Sequence, residues 1–109
     1  NTKAEFIKMP LLDNKISLAE VMAYLNELQI NELWVEAGPN LNGELLKLKL
    51  LDELITYTAP YIMGGSANSM FNAPILEDMK DKIKISILDC RNVGEDIRIQ
   101  AMVNKDDVD

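Results

Sequence analysis

Hydrophobic residues between positions 18 and 28 recur every three or four residues, which is the spacing of one face of an α-helix. The members of this series are Leu18, Val21, Met22, Leu25 and Leu28. Ser17 precedes the series, and Glu20 lies three residues after Ser17, which is the spacing of a capping box. The pattern predicts a helix over residues 18–29, which Asn31 ends because asparagine tolerates a left-handed backbone conformation.

Short apolar segments predict strands on both sides of this helix. Residues 5–9, EFIKM, are interpreted as a strand, and the breakers in PLLDNK mark the turn that follows it. Residues 33–35, LWV, are apolar at every position, which is typical of a strand that is covered on both faces. Trp34 is therefore expected in the core.

A second helix is predicted to begin at Pro39, because the missing N–H of proline has no intrahelical partner in a first turn. Its predicted inner face is formed by leucines, namely Leu41, Leu45, Leu46 and Leu48. Lys47 and Lys49 lie near its predicted end, where positive charge suits the helix dipole.

The second half of the chain has the alternating pattern of β-strands. Residues 52–60 form one predicted strand, and residues 82–90 and 96–103 form two more, joined by the turn RNVGED as an antiparallel hairpin. A loop rich in glycine, asparagine and serine separates them at residues 63–74. The order β-α-β-α-β, loop and hairpin predicts an α/β fold, with parallel pairing through right-handed crossovers and antiparallel pairing in the hairpin.

Composition narrows the function classes. The 109 residues fit one domain, assigned to residues 1–104 with a charged tail at 105–109, and the net charge of −7 argues against a broad nucleic-acid surface. The lone cysteine, Cys90, favours a reducing compartment, and we expect the cytoplasm. The absence of histidine excludes Ser-His-Asp and Cys-His catalysis and histidine-based zinc sites. No apolar run approaches the roughly 18 residues of a membrane span.

The stretch VEAGPNLNG, residues 35–43, is the main candidate for chemistry. Glu36 ends a predicted strand, and ligands of open α/β sheets bind beyond the carboxyl ends of strands. Gly38 permits a tight turn and a close approach to the backbone, and the N–H groups near residues 40–43 would then face an anion. The alternative is a turn that binds nothing, since the pattern is neither a dinucleotide GxGxxG nor a Walker loop.

Other candidates are weaker. Gly64 and Gly65 form either a second ligand loop or a flexible connection. Cys90 is interpreted as a small core residue of its strand rather than a nucleophile, because no base is available to it. The acidic run at residues 77–81 has no recognisable metal-ligand spacing, so no metal site is predicted.

Three stretches in this order resemble the C-terminal reductase domain of the bifunctional deaminase–reductase of riboflavin biosynthesis. They are LWVEAGPNLNGELL, LLDELITYTAPYIMGG and VGEDIRI, and the similarity extends from about residue 16 to residue 103. The resemblance implies a dihydrofolate-reductase-like fold with a mixed sheet. It also implies reduction of the ribosyl group of 5-amino-6-(5-phosphoribosylamino)uracil to ribityl, with hydride from NADPH.

The resemblance assigns roles to individual residues. The glutamate of the motif touches substrate, here Glu36, and the segment after it binds NADPH, here Gly38, Pro39, Asn40, Leu41, Asn42, Gly43 and Glu44. Asn40 stands where the family often has threonine, and Ala37 stands where a second glycine is frequent. No catalytic residue is assigned.

The family's reductase domain is about twice as long as this chain, and the chain begins NTKAEF without Met. We therefore interpret it as the C-terminal part of a reductase domain, which is not expected to catalyse the reduction alone. Unpaired strand edges predict a homodimer or larger homo-oligomer. Two alternatives are a non-catalytic assembly module and a reductase of the same fold for another pteridine- or pyrimidine-like substrate.

Overall fold

The computed structural model describes residues 4–65, 67–72 and 82–105 of the chain. These residues belong to two compact units, Asn1–Glu36 and Ala37–Asp109. The boundary between the units falls inside the VEAGPNLNG stretch. Glu36 therefore ends one unit, and the helix start that follows it belongs to the other.

The first unit opens on a small hairpin in which β1, Leu11–Leu12, pairs antiparallel with β2, Lys15–Ile16. Asp13 and Asn14 form its turn with φ of 52° and 63°, so both take the left-handed conformation that a type I′ turn requires. The predicted turn is thus confirmed. The predicted strand at residues 5–9 is wrong, because the extended pairing forms around the turn itself.

Helix α1, Leu18–Glu27, confirms the first predicted helix. The backbone N–H of Glu20 donates to Ser17 Oγ at 3.4 Å, as the capping pattern requires. The predicted end at Asn31 is wrong, because Gln29 takes the left-handed position with φ of 61°. The N–H groups of Gln29 and Ile30 donate to carbonyls of the last turn at 2.9 and 3.1 Å, which completes a Schellman motif.

The predicted strand at residues 33–35 is also wrong, since residues 30–38 have no regular secondary structure. Trp34 is 72% exposed rather than in the core. An apolar run becomes a strand only when neighbouring strands take up its backbone hydrogen bonds. In the described part of the chain, none of the strand pairings includes residues 33–35, so this run has no neighbouring strand.

Helix α2, Pro39–Lys47, begins at the predicted proline, with Gly38 as its N-cap. Lys49 takes a left-handed φ of 59°, and the N–H groups of Lys49 and Leu50 close a second Schellman motif. Of the predicted inner face, Leu45 is buried and Leu46 is half-buried, whereas Leu41 and Leu48 are exposed.

A three-stranded sheet follows, with β3 at Glu53–Thr58, β4 at Ile85–Val93 and β5 at Asp96–Val103. The strand order is β3-β5-β4 and both pairings are antiparallel, so the three strand predictions and the hairpin are confirmed. Gly94, with φ of 61°, supplies the tight turn between β4 and β5. The predicted parallel pairing does not occur among the described strands, so the described fold is mixed α/β with antiparallel sheets.

The hairpin contains a β-bulge that simple alternation did not predict. Ile87 pairs with Ala101 and Asp89 with Gln100, so Leu88 is the extra residue of β4. Ala101 is almost fully buried, whereas Cys90, opposite Ile99, is exposed. Cys90 thus lies on the predicted strand, but its interpretation as a core residue is wrong.

None of the described helices is both long enough and apolar enough to cross a membrane.

The left-handed backbone conformation of Gln29 leads to a prediction about stability. A left-handed conformation costs a non-glycine residue roughly 1–2 kcal/mol, partly offset by the extra chain entropy that glycine has when unfolded. We expect Gln29→Gly to raise the free energy of unfolding by about 0.5–1 kcal/mol. Ala23→Gly, within α1, should lower it by about 1 kcal/mol. Urea unfolding of both variants measures the difference, and two losses of similar size would contradict the assigned helix end.

Candidate functional site at the start of α2

Glu36 is described within the first unit, of which it is the last residue. It lies on an irregular segment instead of at the end of a strand, so the predicted reason for its position is wrong. Its side chain is exposed to solvent. An exposed carboxylate offers two acceptor oxygens to N–H and O–H donors of a ligand.

The start of α2 presents free backbone donors. Gly38 has an extended backbone and contributes no capping side chain, and Pro39 has no N–H. The first backbone bond of the helix runs from the N–H of Asn42 to the carbonyl of Gly38, at 3.1 Å. Among the hydrogen bonds of the described residues, none takes up the N–H groups of Asn40 and Leu41. These two donors, at the positive end of the helix dipole, suit an anion.

Space in front of this helix start is open at Gly38. A Cβ built on Gly38 meets nothing within 4 Å, and φ is −80°, a value that any residue adopts. The absence of a side chain therefore serves neither the local backbone nor packing within the second unit. It leaves room for a group that approaches the N–H donors.

A second segment, Met70–Asn72, is bound across the first turn of α2, and we call it the crossing segment. The backbone N–H of Asn72 donates to the carbonyl of Pro39 at 3.0 Å, and its amide nitrogen donates to Asn40 Oδ1 at 2.9 Å. Asn42 Nδ2 donates to the carbonyls of Ala37 and Met70, at 3.1 and 3.3 Å. Three asparagines thus join the helix start to a loop about thirty residues away in the chain.

Gly43 permits this contact. It is buried, and a Cβ built on it would lie 2.2 Å from the carbonyl oxygen of Asn72, far inside van der Waals contact. The structure therefore places Gly43 against the crossing segment. Of the predicted cofactor-binding residues, Gly38, Asn40 and Leu41 form the open end of the helix. Asn42 and Gly43 hold the crossing segment to it, Pro39 accepts a bond from it, and half-buried Glu44 follows in the next turn.

The remaining candidates stay apart from this arrangement. Gly64, with φ of 80°, and Gly65 have open surroundings, which fits either interpretation of their loop. No cluster of three or more metal-ligating side chains occurs in the described residues. On the hairpin, Asp89 Oδ2 lies 3.2 Å from Arg91 Nε and 3.5 Å from Arg98 Nη1, so both guanidinium groups face a carboxylate.

Comparison with known proteins identifies the family to which these features belong. The sequence pattern of the RibD C-terminal domain matches residues 1–99 of the chain. The chain belongs to the RibD C-terminal domain family. The match includes α1, α2, β3, β4 and the whole candidate site, so the resemblance expected from the sequence is confirmed.

RibD proteins are similar to the chain in both sequence and structure. The riboflavin biosynthesis protein RibD of Escherichia coli is 42% identical over 82 residues, which cover 75% of this chain and 22% of that protein. RibD of Acinetobacter baumannii superposes with a TM-score of 0.75 at 32% identity, over 84% of this chain and 27% of that one. The chain thus spans about a quarter of these relatives and shares their dihydrofolate-reductase-like α/β fold.

Two shorter relatives are named for single reductases. The 5-amino-6-(5-phosphoribosylamino)uracil reductase of Buchnera aphidicola from Acyrthosiphon pisum is 35% identical over 89 residues, 80% of this chain and 42% of that protein. The 2,5-diamino-6-ribosylamino-4(3H)-pyrimidinone 5′-phosphate reductase of Methanothermobacter thermautotrophicus is 28% identical over 90 residues, 82% of this chain and 42% of that protein.

The packing of Gly43 predicts an unusual sign for a helix substitution. Glycine to alanine inside a helix normally stabilises by roughly 1 kcal/mol. Here the new Cβ overlaps the Asn72 carbonyl, so we expect Gly43→Ala to destabilise by about 1–3 kcal/mol. Gly38→Ala, whose Cβ meets nothing, is the control and should lose no more than the roughly 1 kcal/mol by which alanine is a poorer N-cap than glycine. Denaturant unfolding of both variants tests this, and a more stable Gly43→Ala would show that the crossing segment does not contact the helix.

Proposed function

We propose that this chain forms the cofactor side of an NADPH-dependent reductase of riboflavin biosynthesis. Its substrate is 5-amino-6-(5-phosphoribosylamino)uracil, whose ribosyl group becomes ribityl. One observation carries the proposal: the open N–H groups of Asn40 and Leu41 fall within the stretch GPNLNG, which lies inside the residues that the family pattern matches. The name of the Buchnera relative supports the substrate.

The residues at the start of α2 fit a cofactor phosphate. The N–H donors are neutral dipoles, and the clear space at Gly38 admits an oxygen to hydrogen-bond distance. Positive side chains are not required there, which is consistent with a net charge of −7. When bound, the cofactor supplies the hydride, and the segment Gly38–Glu44 contributes binding and orientation.

Glu36 takes the substrate role in this proposal. Its exposed carboxylate accepts hydrogen bonds from the N–H groups of the aminouracil, and it lies two residues before Gly38, where the cofactor segment begins. A carboxylate accepts hydrogen bonds from the neutral, donor-rich part of the substrate and repels phosphate groups, so the substrate ring is the group assigned to Glu36.

Catalysis by this chain alone is not expected. Hydride transfer requires donor and acceptor carbons about 3–3.5 Å apart in a fixed orientation, which needs both ligands held firmly. The substrate phosphate calls for cationic partners. Residues 36–44 contain no lysine or arginine, and among the described residues Arg91 and Arg98 face Asp89 while Lys105 binds Asp52. The proposed activity therefore belongs to a larger assembly in which other residues hold that phosphate.

Assembly is part of the proposal. Large apolar side chains are exposed on the described surface, including Phe6, Trp34, Tyr61, Ile62 and Met63. Covering such residues is favourable. Among the described strands, the outer edges of β3 and β4 pair with no further strand, which leaves backbone groups for pairing with another chain. These features support a homodimer or larger homo-oligomer.

The single cysteine favours a reducing compartment, so we propose that the protein is located in the cytoplasm.

A second candidate is the reduction of a related pyrimidinone. The Methanothermobacter relative is named for a 2,5-diamino-6-ribosylamino-4(3H)-pyrimidinone 5′-phosphate, which carries the same ribosyl phosphate on a different ring. The cofactor segment would serve both substrates equally. The group that Glu36 meets on the ring would differ.

The cofactor site is tested by Gly38→Val. We expect the side chain to block the phosphate from the N–H groups and weaken NADPH binding tenfold or more. The unfolding free energy should fall by only about 1 kcal/mol, because the space is open and the loss is limited to the poorer N-cap. Gly65→Val is the matched control, since its Cβ also meets nothing. Fluorescence titration with NADPH measures both dissociation constants. Weaker binding for Gly65→Val alone would instead identify its loop as the ligand site.

The role of Glu36 is tested by Glu36→Gln. Loss of a hydrogen bond to a charged acceptor costs roughly 1.5–3 kcal/mol, so substrate affinity should fall at least tenfold while NADPH affinity stays nearly unchanged. Glu32→Gln, an exposed glutamate of the same irregular segment, controls for the lost charge. Calorimetric titrations with each ligand separate the outcomes. A loss confined to NADPH would mean that Glu36 belongs to the cofactor site.

A further inference from the structure

The amide of Asn40 is fixed by the crossing segment. Asn72 Nδ2 donates to Asn40 Oδ1 at 2.9 Å, so the acceptor atom of Asn40 is occupied. A carboxamide is planar, with its oxygen and its NH₂ group on opposite sides of the same carbon. Holding the oxygen therefore turns the NH₂ group of Asn40 away from Asn72.

Asn72 is itself held by its backbone. Its N–H donates to the carbonyl of Pro39 at 3.0 Å, and its carbonyl lies against Gly43. Asn42 holds the neighbouring Met70 through the carbonyl of that residue at 3.3 Å. These contacts do not involve the Asn72 side chain, so its position is set before it meets Asn40.

Asn40 Nδ2 is a third donor at the start of α2. No hydrogen bond among the described residues takes up Asn40 Nδ2, just as none takes up the N–H groups of Asn40 and Leu41. In the opposite amide orientation, Asn40 would present a carbonyl oxygen, which repels phosphate oxygens. The sign of the group offered to an anion thus depends on the contact with Asn72.

We propose that Asn72 is a positioning residue that acts through Asn40, turning the Asn40 amide so that its NH₂ group donates to a cofactor phosphate. This inference rests on the proposed function, since it concerns the same cofactor site. It adds a residue outside the GPNLNG motif, and it gives the crossing segment a part in ligand binding without contact to the ligand.

A double-mutant cycle with NADPH tests the inference in the full 109-residue chain. Asn40→Ala should weaken binding about tenfold through the lost donor, and Asn72→Ala about three- to tenfold through lost orientation. The double variant should bind no more weakly than Asn40→Ala alone, because Asn72 acts only through Asn40. Asn92→Ala, an exposed asparagine on β4, should leave binding unchanged. Losses that simply add would overturn the inference.

A threonine at position 40 supplies a readout that a purely structural role would not give. Its hydroxyl rotates freely and donates without help from Asn72. In the Asn40→Thr background, Asn72→Ala should no longer affect the NADPH dissociation constant. If Asn72→Ala weakens binding there as well, Asn72 acts through the fold and the inference is wrong. This comparison remains valid if Asn72→Ala also lowers stability.

Nitrogen-15 NMR separates failure of this inference from failure of the proposed function. With NADPH, the backbone N–H signals of Asn40 and Leu41 and the side-chain NH₂ signal of Asn40 should all shift. Shifts of the backbone signals without the side-chain signal would overturn the inference and leave the cofactor site standing. If NADPH shifts none of the three, the proposed cofactor site is wrong and the inference falls with it.

Discussion

The contact between Gly43 and the carbonyl of Asn72 is the constraint on which the candidate site depends. Any side chain at position 43 would push the crossing segment away from α2. The Asn72 N–H would then leave the Pro39 carbonyl, and the Asn72 amide would leave Asn40. The two glycines of the motif therefore differ in role. Gly38 leaves space at the N-terminus of the helix, whereas Gly43 allows the backbone of the crossing segment to contact the backbone of α2.

Elements set by local signals could be predicted from the sequence. Ser17 caps α1, Pro39 starts α2, and Gly94 turns the hairpin, and each signal acts on residues no more than four positions away. The strands predicted at residues 5–9 and 33–35 did not form, because a strand requires partners that its own sequence does not specify. The apolar run around Trp34 is typical of a buried segment, but it does not specify which residues would cover it.

The candidate site also has one part that local signals predict and one part that they do not. The helix start and its free N–H groups follow from Gly38 and Pro39, so that half of the site could be predicted. The contact with the crossing segment could not be predicted, because it joins residues about thirty positions apart. The asparagines that form it follow no periodic pattern in the sequence. The bulge at Leu88 was missed for a related reason, since alternation alone does not show where one strand gains a residue against its partner.

In the proposed function an acidic chain would bind a cofactor phosphate through backbone N–H groups, and such binding depends on short-range geometry. With a net charge of −7, the chain has no overall attraction for an anion, and the described Arg91, Arg98 and Lys105 are each engaged by an aspartate. Charges beyond about 8 Å are screened at physiological ionic strength, so neither attraction nor repulsion at long range decides binding. Affinity must come from donors that are aimed before the ligand arrives. Pre-organised donors need a rigid support, and in the proposed site three asparagines and a glycine supply one by holding a distant loop against the first turn of α2.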